Sequence, residues 1–145
     1  MFLHSAARFL MTGGILLAAA AHAQQTPLFE SHSAKQGSGK MDISVRETER
    51  RPRSSVLTIE IREVGSSVGS SFFLVCSIRK LAKERGGFRH IVKLEETPAR
   101  GQMLIGFLKS ADELPANTDP AFAGAGGKAQ VIGLDQFGAI CDPMM

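Results

Sequence analysis

Hydrophobic and polar positions alternate in two early stretches of the chain. In "MDISVRE", residues 41–47, Ile43 and Val45 are separated by Asp42, Ser44 and Arg46. In "SVLTIEIREV", residues 55–64, Leu57, Ile59 and Ile61 alternate with Thr58, Glu60 and Arg62. A period of two predicts half-exposed strands. The intervening "ERRPRS" contains Pro52, which cannot donate to a ladder, so a hairpin is the simplest join.

The period then changes. After "GSSVGS", the apolar residues Leu74, Val75, Ile78, Leu81 and Ala82 recur at helical spacing and form one stripe. Ser70 or Ser71 can cap such a helix, and Gly86-Gly87 can stop it in a left-handed conformation. Arg79, Lys80, Lys83 and Arg85 crowd the last turns, where cations favour the helix dipole. The spacing predicts a helix over residues 71–85. "FRHIVKLE" reads as a strand with Phe88, His90, Val92 and Leu94 on one face. "QMLIGFLK" is apolar on both faces, which predicts a central strand. "SADELP" reads as one helical turn, "ANTDPAFAGAGGK" as a long loop and "AQVIGL" as a last strand.

This order, β-β-α-β-β-(β), predicts an α+β fold. A small antiparallel sheet of four to five strands carries one main helix on one face. The domain occupies residues 41–145. Ahead of it, residues 24–40 are polar and rich in Gly, Ser and Gln, the composition of a flexible leader with at most a brief contact at Leu28 and Phe29.

Residues 1–23 read as a cleaved signal peptide. His4 and Arg8 precede an apolar run from Phe9 to Ala21, and Ala21 and Ala23 occupy the positions a signal peptidase inspects. That run falls short of the roughly 20 apolar residues that span a bilayer, and no later stretch predicts a transmembrane segment. Cleavage after Ala23 would leave the protein periplasmic or secreted. Without residues 1–23 the chain has 16 basic and 14 acidic residues, a net +2 that sets up no field for nucleic acid, and the absence of Trp and Tyr weighs against glycan and single-strand binding.

The helix raises a question of construction. Phe72, Cys76, Arg79 and Lys83 fall opposite the apolar stripe, with Phe73 and Lys80 beside them. Two rings and a thiol on an outward side require a cover. Cys76 and Cys141 are the two cysteines of the chain, and in an exported protein an even count favours a disulfide. Such a bond would draw Phe137 and Ile140 over Phe72 and Phe73. The alternatives are a reduced, buried Cys76 and an apolar back that meets another subunit or protein.

Candidate chemistry is sparse. "GSSVG", residues 65–69, fits G-x-S-x-G with Ser67 as the nucleophile of a small secreted hydrolase, and His90 and Glu84 are the only partners in chain order. The same loop could cradle an anion at a helix N-terminus. His32, His90 and the cysteines lack the spacing of metal ligands, although "CDPMM" offers soft donors. Arg50, Arg51 and Arg53 read as a solvated hairpin tip or as a contact for anionic lipid. No catalytic residue, cofactor or metal site is assigned.

The segment "FFLVCSIRKLAKERGGFRHIVKL" resembles the helix–glycine–strand core of a group of small exported bacterial envelope proteins. Many of these are lipoproteins without assigned function. Gly86, Gly87 and Phe88 occupy the matching places. The resemblance implies an α+β envelope protein and carries over no catalytic residue. Taken together, the sequence predicts a non-enzymatic exported module that binds another envelope protein through the back of its helix. A hydrolase built on Ser67 and a periplasmic metal- or anion-binding protein are the alternatives.

Overall fold

The computed structural model describes residues 27–33 and 40–144. The expected signal peptide and part of the expected leader lie outside them. Six strands form one antiparallel sheet: β1 (Glu30–His32), β2 (Asp42–Arg50), β3 (Ser54–Glu63), β4 (His90–Glu95), β5 (Gln102–Leu108) and β6 (Gln130–Gly133). Their spatial order is β1-β2-β3-β5-β4-β6. The helix α1 (Ser67–Glu84) lies on one face, and a single turn, α2 (Gly138–Cys141), packs on α1. The α+β class, the hairpin and the central place of β5 agree with the pattern of apolar positions. The sheet has one strand more, and the fold one short helix more, than that pattern predicts.

The extra strand is β1, inside the stretch expected to be a flexible leader. Phe29 is buried, and its amide and carbonyl bond respectively to the Glu47 carboxylate (3.0 Å) and the Glu47 amide (2.8 Å). The buried Ser33 hydroxyl donates to the Met41 carbonyl and accepts from the Ile43 amide. Main-chain and hydroxyl bonds hold this strand, so apolar periodicity alone could not reveal it.

The helix begins four residues earlier than expected. Ser66 is its cap, in extended conformation, and its Oγ accepts from the Gly69 amide at 2.9 Å. Ser70 and Ser71, the expected caps, instead donate to the Ser67 carbonyl inside the first turn. The expected stop holds. Gly86 and Gly87 have φ of 136° and 79°, and the Gly87 amide donates to the Ala82 carbonyl at 3.0 Å. With the Gly86 amide on the Lys83 carbonyl, this is a Schellman ending that returns the chain directly to β4.

The main core joins Phe73, Ile78, Leu81 and Ala82 of α1 to Ile43, Val45, Leu57, Ile91, Ile105 and Phe107 of the sheet. Phe73 is therefore a core residue rather than part of the helix back, and Leu74 and Val75 are only partly buried. The face of β4 also differs from expectation: Ile91 meets the helix, while Val92 and Leu94 point to the other side of the sheet.

That other side has its own core of Val56, Val92, Leu94, Leu104, Leu108 and Phe122. Its cover is the expected long loop, which coils into short 3-10 turns at Pro115–Asn117, Pro120–Gly124 and Gly126–Lys128. The close approach explains Gly106 at the centre of β5. A Cβ there would lie 2.1 Å from Thr118 Oγ1, 2.8 Å from Val92 Cγ1 and 2.9 Å from Phe122 Cε2. Gly106→Ala is expected to destabilise the fold by about 1–3 kcal/mol through overpacking. A shift below about 0.5 kcal/mol in urea unfolding would contradict the packing of this cover on the sheet.

Candidate interaction site

The sulfur atoms of Cys76 and Cys141 are bonded, with their Cα atoms 5.2 Å apart across 65 residues of sequence. The cover on the helix back is thus the C-terminus of the same chain. It is only partly the cover that the sequence suggests. Cys141 is buried and Arg79 Nη1 meets Asp142 Oδ1 at 2.5 Å, but Phe137 is half-buried and Ile140 remains 37% exposed. A hollow of about 340 Å³ beside the disulfide lies among Arg79, Lys80, Lys83, Glu84 and Asp142. The back of α1 therefore presents long charged side chains, with its thiol taken up internally.

The Ser67 constellation does not assemble. Ser67 is the first residue of an 18-residue helix, which is about 27 Å long. Glu84 ends that helix, and His90 opens β4 just beyond the glycine stop. The proposed acid and base thus sit near one end of α1 and the serine at the other. His32 lies beside Asp42, with Nε2 to Oδ1 at 3.4 Å, and both cysteines are engaged in the disulfide. Among the described residues, no three of His, Cys, Asp or Glu are grouped as metal ligands, and no helix is long and apolar enough to cross a membrane. Met145 of "CDPMM" lies outside the described residues.

The hairpin arginines are not a free cationic tip. Arg50 pairs with Glu47, Arg51 with Glu49 and Asp119, and Arg53 with Glu113. The centre of this network is Glu47, whose side chain is completely buried. Its carboxylate accepts from Arg50, from the Ser55 hydroxyl at 2.6 Å and from the Phe29 amide. Arg85, almost wholly buried, lies 3.5 Å from Glu47, donates to Ser55 Oγ at 2.7 Å and sits over the Phe107 ring at 4.9 Å. Burial alone would raise the Glu47 pKa. The hydrogen bonds from Arg50, Phe29 and Ser55 overcome burial and bring it down to about 2. Burial also opposes ionisation of Asp119, whose pKa is nevertheless lowered by the Ala121 amide, Arg51 and Ser54. Glu113 falls to about 2 because Arg53 and the Lys109 amide donate to it. These groups tie β1, the hairpin, the end of α1 and the second cover together. The interleaved acids and bases of "RETERRPR" are the signal that could have disclosed this clasp.

The opposite end of the molecule is open. Two hollows of about 160 and 150 Å³ share Leu74, Glu95 and Met103, and together they make a trough between α1 and the sheet. Ile59, Ile61, Val75, Ile78 and Ile132 complete its apolar lining. Ile61 is 52% exposed, and Val64 and Val68, in the connection to α1 and its first turn, are 45% and 63% exposed. Val68 shares a helix side with Ser71 and Val75, which line the trough. Scattered apolar residues on a surface are ordinary, but Ile59, Ile61, Leu74 and Met103 line one hollow together. The sequence places Ile61 in the core because the alternation of β3 continues past the point where α1 covers it.

Comparison with known protein families, curated proteins and solved structures finds no match to this chain.

Proposed function

We propose that the protein is a non-enzymatic exported envelope protein that serves as a small interaction module, with the apolar trough as its contact surface. The observation that carries this reading is the asymmetry between the two ends. Paired charges and the glycine stop close one end, whereas Ile61, Leu74 and their neighbours form an apolar groove at the other that no described residue covers, with the exposed Val68 one turn along α1 from Ser71 at its edge. The disulfide supports an oxidising compartment, in keeping with the signal-like residues 1–23. The chain's own C-terminus already covers Cys76, so the trough is the stronger candidate surface for an envelope partner than the helix back.

Complementation of a deletion strain tests the proposal. Val68→Lys and Ile61→Lys place a charge on positions already open to water and are expected to abolish complementation with the fold retained. Leu114→Lys, at a position 68% exposed in a different segment, is expected to complement fully, as is Ser67→Ala. Loss of complementation in Ser67→Ala with normal stability would overturn the non-enzymatic reading. Full complementation by both trough variants would overturn the choice of surface.

A further inference from the structure

The trough runs beside an unpaired length of strand. β3 has ten residues, but β5 pairs with it only from Ser54 to Thr58, and the last cross-strand bond runs from the Ile59 amide to the Gly101 carbonyl at 2.9 Å. Beyond that bond, among the described residues, β3 has a partner on one side only, β2. Odd-numbered residues direct their main-chain groups toward β5: the Arg53 carbonyl accepts from Phe107, and the Ile59 amide donates to Gly101. The alternation of an antiparallel ladder therefore aims the amide and carbonyl of Ile61 into the lane ahead of Gly101, before a register shift at Arg62 turns Glu63 to pair with Asp42 of β2. The described residues that follow β3 do not turn back into that lane. Gly65 bends toward the β2 side, where a Cβ would lie 3.2 Å from Met41 Cβ.

We propose that this lane accepts an extended segment of a partner protein, which adds as a strand to β3 and seats an apolar side chain in the trough. This deepens the reading of the trough as a contact surface and rests on it. Free amides and carbonyls select an extended backbone, because a helix or an acyl chain has no main-chain groups to offer them. The segment's own alternation is set by the surface. Residues on the trough side meet Ile61, Leu74 and Met103 and must be apolar; those between them lie on the side of Glu60 and Arg62 and must be polar. The charged lining consists of Lys93, Glu95 and Glu96, with Lys93 Nζ already 2.7 Å from Glu95, so a carboxylate is left in excess. The incoming segment should therefore carry a basic residue at the Glu96 end. A second copy of this chain complements the edge less well. The symmetric pairing, Ile61 opposite the Ile61 of the other copy, would run that copy's strand into the place opposite Ile59 that Gly101 already fills.

Amide NMR titration of the disulfide-bonded protein tests the inference. The probe is the acetylated, amidated peptide Lys-Val-Thr-Val-Thr-Val-Lys. Its comparators are the same peptide N-methylated at the central valine and a version with Glu for both Lys. The expected result is shift changes at Ile61, Leu74 and Met103, with binding weakened at least about tenfold by N-methylation, by the Glu version and by Ile61→Lys. Absence of shifts at these residues at millimolar peptide would overturn strand addition. So would equal binding by the N-methylated peptide, shifts that follow protein concentration alone, or a response to lipid vesicles in place of the peptide. The complementation phenotypes of Val68→Lys and Ile61→Lys judge the contact surface separately, so strand addition can fail while that reading stands.

Discussion

Replacing both Cys76 and Cys141 with Ala is expected to lower the unfolding free energy by about 4 kcal/mol. The loop closed by the bond spans 65 residues of sequence separation, and chain entropy in the unfolded state scales with the logarithm of that length. For a small domain with a total stability of about 5–15 kcal/mol, this is a large fraction. The effect should also be local. Once the bond is gone, α2 keeps the Arg79–Asp142 pair as a link to α1, and with Asp142 63% exposed water screens that pair so that it contributes little. Amide exchange at Ala139, Ile140 and Cys141 should therefore rise far more than exchange in β5. A loss below about 1 kcal/mol, with α2 still protected, would show that contacts other than the sulfur bond hold the tail.

The second large effect is expected from Glu47→Ala. Removing the carboxylate leaves the buried Arg85 without its acid and strands the Phe29 amide and the Ser55 hydroxyl. Breaking a buried ion pair from one side typically costs about 3–5 kcal/mol. Glu47→Gln preserves part of the hydrogen bonding and should cost less. The same carboxylate makes stability depend on pH. Its folded pKa, about 2, lies below its ordinary 4.5, so the stabilisation is full above the ordinary value and disappears as pH falls through the folded one. That shift corresponds to about 3 kcal/mol lost between roughly pH 5 and pH 2. Glu113, with the same direction of shift, steepens the decline. Chemical denaturation across this range should show a clear fall for the native protein and a shallower one for Glu47→Gln. Parallel slopes would mean that Glu47 is not held ionised by its neighbours.

Much of the frame was legible because it rests on periodicity. Ile43 and Val45 alternate and are buried; β5 is apolar on both faces and lies at the centre of the sheet; Gly86 and Gly87 end the helix where their conformational freedom is used. What escaped depends on groups whose partners are distant in sequence. β1 is held by Glu47 and by serine hydroxyls, and the second cover is held by Asp119, which accepts from Arg51 and Ser54 more than 60 residues away. The serine run offered several caps, and local propensity alone could not choose Ser66. The trough was hidden for a different reason. Ile61 obeys the alternation of a buried strand, but burial depends on where α1 stops covering the sheet, and no local pattern records that boundary.

The claim on which the functional account depends is that the open end of the molecule, rather than its disulfide-clamped back, meets the partner. Photo-crosslinking in intact producing cells measures this directly, with benzophenone side chains placed one at a time at Ile61, Val68, Leu114 and Ile140. The account predicts that Ile61 and Val68 yield the same adduct and that Leu114 and Ile140 yield none. Adducts from Ile140 with none from the trough positions would contradict it.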